Sequence, residues 1–497
     1  MSVGGTASSN SPRAATRRPG IGGTLGRVGV VLSLAFSGLA VGAGYWQVWR
    51  ASDLSSSPDD AAVIAAGRNA IRGVITDRDG EELAWNVLDG NGEPYRKYLS
   101  RSISGVVGYA SRLYGTAGLE RAYDAEISGV TSRDAVQDLL RKFRSDPSDP
   151  QGIRTTLAAT LQQAAVTALG DDTGAVVMLN PRTGEVLVLA STPIFDASAI
   201  ANAVTAETAF SALAGDAREP FLPRATQGRY VPGSVFKIVT AIAALGSGAV
   251  DTGTTFAAQP PAEAKGLLVG GFRVRDGHHP KTGDEALDFL GATEVSCNLW
   301  YALAGLETGG DTLVEWAGRL GFGGALPFDL PTAVSQVTSG GGSAPGGFVD
   351  DVELANAAYG QAETVVTPLQ MALVAATVAN GGVLMRPHLV QAFTGRGGTQ
   401  TVPPEEWRRV LPASIADEIV VAMTQAVQGK LGRAYTKGAQ VRGLTVAGKS
   451  GTAELGGRGE PNSWFIGFAP AEDPQVVIAV VVEHGGRGAE RAAPIAG

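Results

Sequence analysis

Eight consecutive residues, Ile238-Val239-Thr240-Ala241-Ile242-Ala243-Ala244-Leu245, read as a helix that is apolar on nearly every side. A helix of that kind has no face to show to water, so the rest of the chain must be wrapped around it. Pro232 and Gly233 break the chain just ahead and set Ser234 on the first turn. Unpaired backbone N–H groups and the positive end of the helix dipole gather there. Lys237 lies three positions on, one turn away on the same face. A lysine among so many apolar neighbours loses hydration, which disfavours its charged form and lowers its pKa. A neutral amine beside a hydroxyl is a base beside a nucleophile. Read alone, the pair fits a helix N-cap with an incidental lysine equally well. What decides is the company it keeps.

The 497 residues exceed one ordinary domain, and 44% hydrophobic content supports a sizeable core. A net charge of −8 leaves no basic footprint, so nucleic acid is not an expected partner. Cys297 is the single cysteine, which rules out an internal disulfide and a thiolate metal cluster. His278, His279, His388 and His484 form no H-x-x-x-H pair, so no metal or other cofactor is expected. The His278-His279 dipeptide reads as an exposed loop.

Residues 1–27 are rich in Gly, Ser, Thr and Arg without an acid, and are expected to be a disordered tail. Residues 28–49 carry no charge. As a helix they reach ~33 Å against a hydrocarbon core of ~30 Å. Arg13, Arg17, Arg18 and Arg27 precede the run, and Asp53, Asp59 and Asp60 follow it. That asymmetry predicts a single-pass plasma-membrane helix with the N-terminus in the cytoplasm and the rest of the chain outside. A cleaved signal peptide, cut near Gly42-Ala43-Gly44, is the competing reading. The length of the run and its closing Tyr45, Trp46 and Trp49 favour an uncleaved anchor.

Residues 50–152 read as an extracytoplasmic pedestal, with a strand over 72–80 running into an Asp-Gly turn and an amphipathic helix over 134–144. Residues 153–497 form the largest domain. A helix over 155–169 leads into strands over 175–179 and 186–190, a hairpin about Asn180-Pro181-Arg182-Thr183-Gly184. Strands over 464–469 and 476–482 mirror it at the far end, and helices over 354–359 and 368–378 lie between. Strands at both ends of a mostly helical middle predict one antiparallel sheet closed by the two ends, an α/β (α+β) class fold.

Two further short motifs follow Ser234 and Lys237. Ser296-Cys297-Asn298 comes first, and Lys449-Ser450-Gly451-Thr452 opens the C-terminal hairpin. Taken singly, Ser296 and Asn298 read as helix caps, Cys297 as a small buried hydrophobe and Glu454 as a strand-end charge. Ser-x-x-Lys, Ser-x-Asn and Lys-Ser/Thr-Gly in that order are the motif set of the penicillin-recognising serine acyl-transferases. Lys281-Thr282-Gly283 matches the third motif by letter, but it precedes Ser296 in a polar stretch without strand pattern and reads as a surface turn.

Beyond those motifs the chain resembles class B penicillin-binding proteins, the peptidoglycan D,D-transpeptidases, from about Ala70 onward. Arg72-Gly73-Val74-Ile75-Thr76-Asp77-Arg78-Asp79-Gly80 and Tyr114-Gly115-Thr116-Ala117-Gly118-Leu119-Glu120 carry the first part of the likeness. Gly360-Gln361, Thr367-Pro368-Leu369-Gln370-Met371-Ala372, Asn380-Gly381-Gly382 and Trp464-Phe465-Ile466-Gly467-Phe468-Ala469-Pro470 continue it. The short outer segment is most similar to compact members without a large dimerisation module. The resemblance implies the penicillin-binding serine transpeptidase fold, an antiparallel five-stranded sheet flanked by helices plus a mainly helical subdomain.

It also implies roles. Ser234 would attack a stem peptide ending in D-Ala-D-Ala, and Lys237 would take its proton. Lys449 would help keep Lys237 neutral by like-charge repulsion and would draw in the substrate carboxylate. Ser450 and Thr452 hydroxyls, beside Gly451, would bind that carboxylate. Backbone N–H groups of Ser234 and Thr452 would form the oxyanion hole. Ser296 would relay the proton to the departing D-Ala, and Asn298 would hold the substrate amide. Stem peptides, covalently inhibiting β-lactams and a membrane glycan polymerase of the SEDS type are the implied partners.

Three departures stand out. Pro223 precedes Arg224 where the family usually has asparagine. Residues 492–497 look like only the start of the family's closing helix, which puts the packing on the sheet's outer face in doubt. Glu353 and Asn356 fall where a lactamase has its deacylating glutamate, but their spacing is one short and reads as a helix start. A D,D-carboxypeptidase or β-lactamase would share the fold and the first chemical step. A non-catalytic β-lactam sensor or scaffold is the reading from another class, and the intact motif residues argue against it.

Overall fold

The computed structural model describes residues 71–90, 92–129, 150–276, 285–457 and 459–497, together with positions 30, 32, 34–36, 38 and 39. The chain divides into two units, 1–64 with 131–147 and 65–130 with 148–497. In the first unit the described positions between 30 and 39 are helical, with exposed side chains such as Leu34 and Phe36. No helix among the described residues is long and apolar enough to cross a membrane. The rest of the expected span over 28–49 lies outside the described residues, as do the expected helix over 134–144, His278-His279 and Lys281-Thr282-Gly283.

In the second unit the main strands are β1 (Ile75–Thr76), β2 (Glu82–Leu88), β3 (Pro94–Tyr98), β4 (Gly152–Thr155), β5 (Gly174–Leu179) and β6 (Val186–Thr192). A short hairpin, β7 (Leu267–Val269) and β8 (Phe272–Val274), follows in the helical middle. Then come β9 (Val390–Gly395), β10 (Gly398–Thr401), β11 (Ala447–Ala453), β12 (Asn462–Ala469) and β13 (Val476–Val482). The principal helices are α1 (Ala159–Leu169), α2 (Lys237–Ser247), α3 (Asn298–Thr308), α4 (Asp351–Ala357), α5 (Pro368–Ala379), α6 (Ala413–Gln428) and α7 (Ala492–Ala496).

The central sheet has the order β11-β12-β13-β5-β6, and all four pairings are antiparallel. It is the antiparallel sheet expected from strands at both ends of the domain, with the five strands that the family resemblance implies. The strand over 476–482 begins and ends where the Val/Ile run does, because branched side chains suit a pleated, buried surface. The strand expected over 186–190 continues to Thr192, whose hydroxyl donates to Asp172 O at 2.6 Å.

Helix α2 is buried from Lys237 to Leu245 and stops at Gly248, which takes the left-handed conformation that glycine tolerates best. Helix α5 has Pro368 in its first turn and is capped by Thr367, whose hydroxyl accepts from Gln370 N at 3.1 Å. Its apolar residues pack on β12, β13 and β5. On the other face, α1 and α7 pack against the sheet, with Leu169, Val176, Val480, Ala492 and Ala493 in one buried cluster. Helix α7 therefore does cover strands β12 and β13.

A second sheet, ordered β10-β9-β4-β1-β2-β3, joins the N-terminal strands of this unit to the β9–β10 hairpin. Strand β1 runs parallel to β4, and β4 antiparallel to β9. The pedestal strands thus share a sheet with a hairpin more than two hundred residues downstream. Here the two N-terminal family segments meet. Arg72 donates from Nε to Glu120 Oε2 at 2.7 Å and Arg96 from Nε to Glu120 Oε1 at 2.6 Å, and all three side chains are buried. Burial alone would raise the Glu120 pKa, but Arg96 and Arg72 outweigh it and hold the carboxyl below its ordinary value.

Candidate active site

The chain enters the site along Tyr230 and Val231. Tyr230 exchanges two backbone hydrogen bonds with Val366, and its hydroxyl donates to Glu483 Oε1 at 2.7 Å. The Trp464 indole donates to Val231 O at 3.0 Å, which ties the entry to strand β12. Arg224, the residue after Pro223, is buried and donates to the same Glu483 oxygen at 2.7 Å.

Gly233–Phe236 forms a single 3-10 turn that runs into α2 at Lys237, so Ser234 lies just ahead of the α-helix. The turn is held by close backbone approach. Gly233 has φ +56°, and a Cβ there would come within 2.5 Å of Thr452 O. Gly360, at φ +85°, accepts from Gly233 N at 2.8 Å, and a Cβ on it would lie 1.9 Å from Gly233 O. Neither position has room for a side chain. Strand β11 is the edge of its sheet and packs against this turn. An edge strand keeps a row of backbone groups unpaired by neighbouring strands.

Ser234 is half-buried, and its hydroxyl has no hydrogen-bond partner among the described residues. The three-residue spacing predicts the Lys237 amine on this hydroxyl. Instead, Lys237 Nζ donates to Ser296 O at 2.6 Å, Ser296 Oγ at 3.1 Å and Asn298 Oδ1 at 2.8 Å. Three acceptors match the three donors of an ammonium group. When the amine loses a proton, one contact must be released, and a lone pair becomes available. Lys237 is fully buried, and burial lowers its pKa to about 8 against the opposing influence of Asp276 and Cys297. The Tyr301 ring lies 5.5 Å from Nζ.

Lys449 reaches the same point from strand β11, with Nζ 2.8 Å from Ser296 Oγ and 3.0 Å from Ser450 O. Its pKa is pushed well down, first by burial and then by the charge of Lys237. Ser296 Oγ thus bridges the two lysines. It can do so because Ser296 has φ +61° and ψ +42°, a left-handed conformation uncommon for a residue with a side chain. That kink ends the helix Phe289–Val295 and turns both Ser296 oxygens toward Lys237.

Of the two expected helix caps, Ser296 does cap the helix Phe289–Val295 at its C-terminus besides bonding both lysines, whereas Asn298 is not the cap of α3. The N-cap of α3 is Cys297, whose sulfur accepts from Trp300 N at 3.4 Å. Cys297 is fully buried, and burial together with Asp276 raises its thiol pKa well above the ordinary value, as suits an inert residue. Asn298 opens α3, and its Nδ2 donates to Arg275 O at 3.1 Å. Ser450 is nearly buried beside Gly451, and Thr452 Oγ1 accepts from Gly488 N at 3.2 Å, which leaves its own proton to donate. Glu353 accepts from Thr338 Oγ1 at 2.6 Å and Val349 N at 2.7 Å near the start of α4, so it is engaged in a helix start as its spacing predicts.

Arg275 and Asp276 were missed. They follow β8 and touch Cys297 and Asn298, yet the only mark in the sequence is an Asp-Gly dipeptide of the kind found in any turn.

The family model for the penicillin binding protein transpeptidase domain matches residues 174–497. A peptidoglycan D,D-transpeptidase PbpA of Mycolicibacterium smegmatis is 34% identical over 95% of this chain and 97% of its own length. The chain is a class B penicillin-binding protein. Residues 72–152 of this penicillin-binding protein match the model for the penicillin binding protein A dimerisation domain, so the short outer segment has a counterpart among such modules. A peptidoglycan D,D-transpeptidase MrdA of Escherichia coli is 29% identical over 75% of this chain and 62% of its own. Among solved structures, a penicillin G acyl-enzyme complex of penicillin-binding protein A from M. tuberculosis has a TM-score of 0.74 at 32% identity, covering 86% of this chain and 98% of that one. The penicillin-binding protein transpeptidase fold is common to both.

Proposed function

We propose that this penicillin-binding protein is a serine D,D-transpeptidase that cross-links peptidoglycan stem peptides through an acyl-enzyme on Ser234 and is trapped in that form by β-lactams. The observation that carries the reading is the meeting of three sequence motifs at one atom: Lys237 and Lys449 both bond Ser296 Oγ beside the Ser234 turn.

That geometry supports the following chemistry, in the roles that the family resemblance implies. Neutral Lys237 takes the Ser234 proton as Ser234 Oγ adds to the carbonyl of the penultimate D-Ala, a step worth ~10²–10⁴ in rate. The oxyanion is held by backbone N–H groups of Ser234 and Thr452, each worth about 3 kcal/mol in comparable sites. As the C–N bond breaks, the proton passes from Lys237 through Ser296 Oγ to the leaving amine of the terminal D-Ala. Lys449, Ser450 and Thr452 hold the substrate carboxylate, and Asn298 its amide. An amine from a neighbouring strand then adds to the ester, Ser234 leaves with a proton returned through the same path, and the cross-link is made. A β-lactam follows the first half, but its leaving nitrogen stays tethered to the acyl group and blocks the second.

The same reading places the chain at the plasma membrane with residues 28–49 as a single span, the tail 1–27 cytoplasmic and a SEDS-type glycan polymerase as partner. Its support is the charge-free run and its flanking charges. One experiment tests the whole reading: carbonate-washed membranes carrying the full chain are given pentapeptide-bearing glycan strands. Cross-linked dimers in the pellet are expected. Release of D-Ala without dimers would make the protein a carboxypeptidase, and activity in the wash would remove the anchor. A polymerase that co-purifies undiminished after residues 28–49 are exchanged for an unrelated span would remove the docking.

A further inference from the structure

Residues Arg275 and Asp276 leave the β7–β8 hairpin and close on the turn Ser296-Cys297-Asn298 with three contacts. Asp276 Oδ1 accepts the backbone N–H of Asn298, and Oδ2 accepts the Cys297 thiol at 3.1 Å. Arg275 O accepts Asn298 Nδ2 at 3.1 Å. The last contact fixes which way the Asn298 amide faces. With Nδ2 on Arg275, Oδ1 is left for Lys237 at 2.8 Å. The first two hold the residue next to Ser296, in its left-handed conformation, from the side of the α3 N-terminus. One of the unpaired N–H groups that open α3 is thereby satisfied by a carboxylate, which also suits the helix dipole.

We propose that Asp276 is a positioning residue for acylation: its carboxylate fastens the turn Ser296-Cys297-Asn298 so that Ser296 Oγ and Asn298 Oδ1 stay on the Lys237 amine. The inference rests on Lys237 being the base for Ser234. Held in this place, the Asp276 charge also acts on that base. Lys237 faces Lys449 from β11, Cys297 from the turn, Tyr301 from α3 and Asp276 from the loop. Burial raises the pKa of Tyr359, after α4, and Glu454 and then Asp276 add to it. Of the groups around Lys237, Asp276 is first among those opposing the loss of its proton, against burial, which promotes it. Removing the Asp276 charge therefore makes the neutral amine available at lower pH.

The test is the pH dependence of acylation by a fluorescent penicillin, measured for the wild type, Asp276→Asn and Asp276→Glu. Asp276→Asn keeps an acceptor but no charge. Its plateau rate is expected to fall ~10-fold through looser placement of the turn, while its acid limb moves to lower pH by about half a unit or more. Asp276→Glu keeps the charge, so its limb should stay at the wild-type pH while its plateau falls. A merely structural residue would lower the plateau in Asp276→Asn and leave the limb in place. That result overturns the proposal, as does a wild-type plateau in Asp276→Asn. If Asp276→Asn does not fold, Asp276→Glu decides alone: a wild-type plateau, or a displaced limb, overturns it. A wild type without an acid limb defeats the assignment of Lys237 itself, and is told apart because it needs no variant.

Discussion

Lys237→Met acylates with penicillin roughly 10³-fold more slowly than the wild type, while the fold survives. The side chain is fully buried in α2, so methionine of similar length fills the space without a cavity. Three acceptors lose their donor, Ser296 O, Ser296 Oγ and Asn298 Oδ1. Of these, Ser296 Oγ keeps Lys449 at 2.8 Å. Against that loss stands the removal of an amine whose charged form burial disfavours. The pH dependence separates a lost base from a damaged site. Burial lowers the Lys237 pKa to about 8, and in the proposed mechanism the neutral form is the active one. Wild-type acylation must therefore rise with pH through about 8 and then level off. In Lys237→Met that rise is absent. Stopped-flow acylation across pH, with thermal melts of both proteins, reads the two effects.

Glu120→Ala has its largest effect on stability. It leaves Arg72 and Arg96, both buried, without the carboxylate that each meets within 2.7 Å. Breaking a buried ion pair from one side costs about 3–5 kcal/mol, because the remaining charges stay dehydrated. Part of Arg72 remains served, since Nη1 donates to Asp124 at 2.6 Å. A fall in melting temperature of roughly 5 °C is expected. Penicillin acylation by the protein that remains folded should keep its wild-type rate, because the cluster lies beside strand β3 of the second sheet and supplies no group to the Ser234 site. A melting temperature within about 2 °C of the wild type would show that the cluster contributes little to stability.

The motif residues were legible because their chemistry is local. Ser234 and Lys237 are three apart, Ser296 and Asn298 two apart, and Lys449 to Thr452 are contiguous. The apolar run after Lys237 announced its burial, and the structure buries it completely. The valine-rich strands and the proline-started helix α5 were legible for the same reason, since periodicity and caps are written in neighbouring residues.

What escaped is what depends on distant backbone. Strand β4 joins β1 and β9 in one sheet, and no short-range pattern encodes that pairing. Cys297, rather than Ser296 or Asn298, caps α3 because Ser296 is spent on the left-handed kink that aims its oxygens. Lys237 bonds the Ser-x-Asn turn rather than Ser234 because that turn offers three acceptors to one amine. Asp276 enters from a loop whose letters carry no chemistry until α3 is folded beside them.

The most direct measurement is peptide mapping of the folded protein after exposure to penicillin G. A single adduct with the mass of the whole drug, carried by the fragment that contains Ser234 and absent from Ser234→Ala, is the outcome these contacts require. An unmodified wild type, or an adduct that persists in Ser234→Ala, would contradict the assignment of Ser234 as nucleophile.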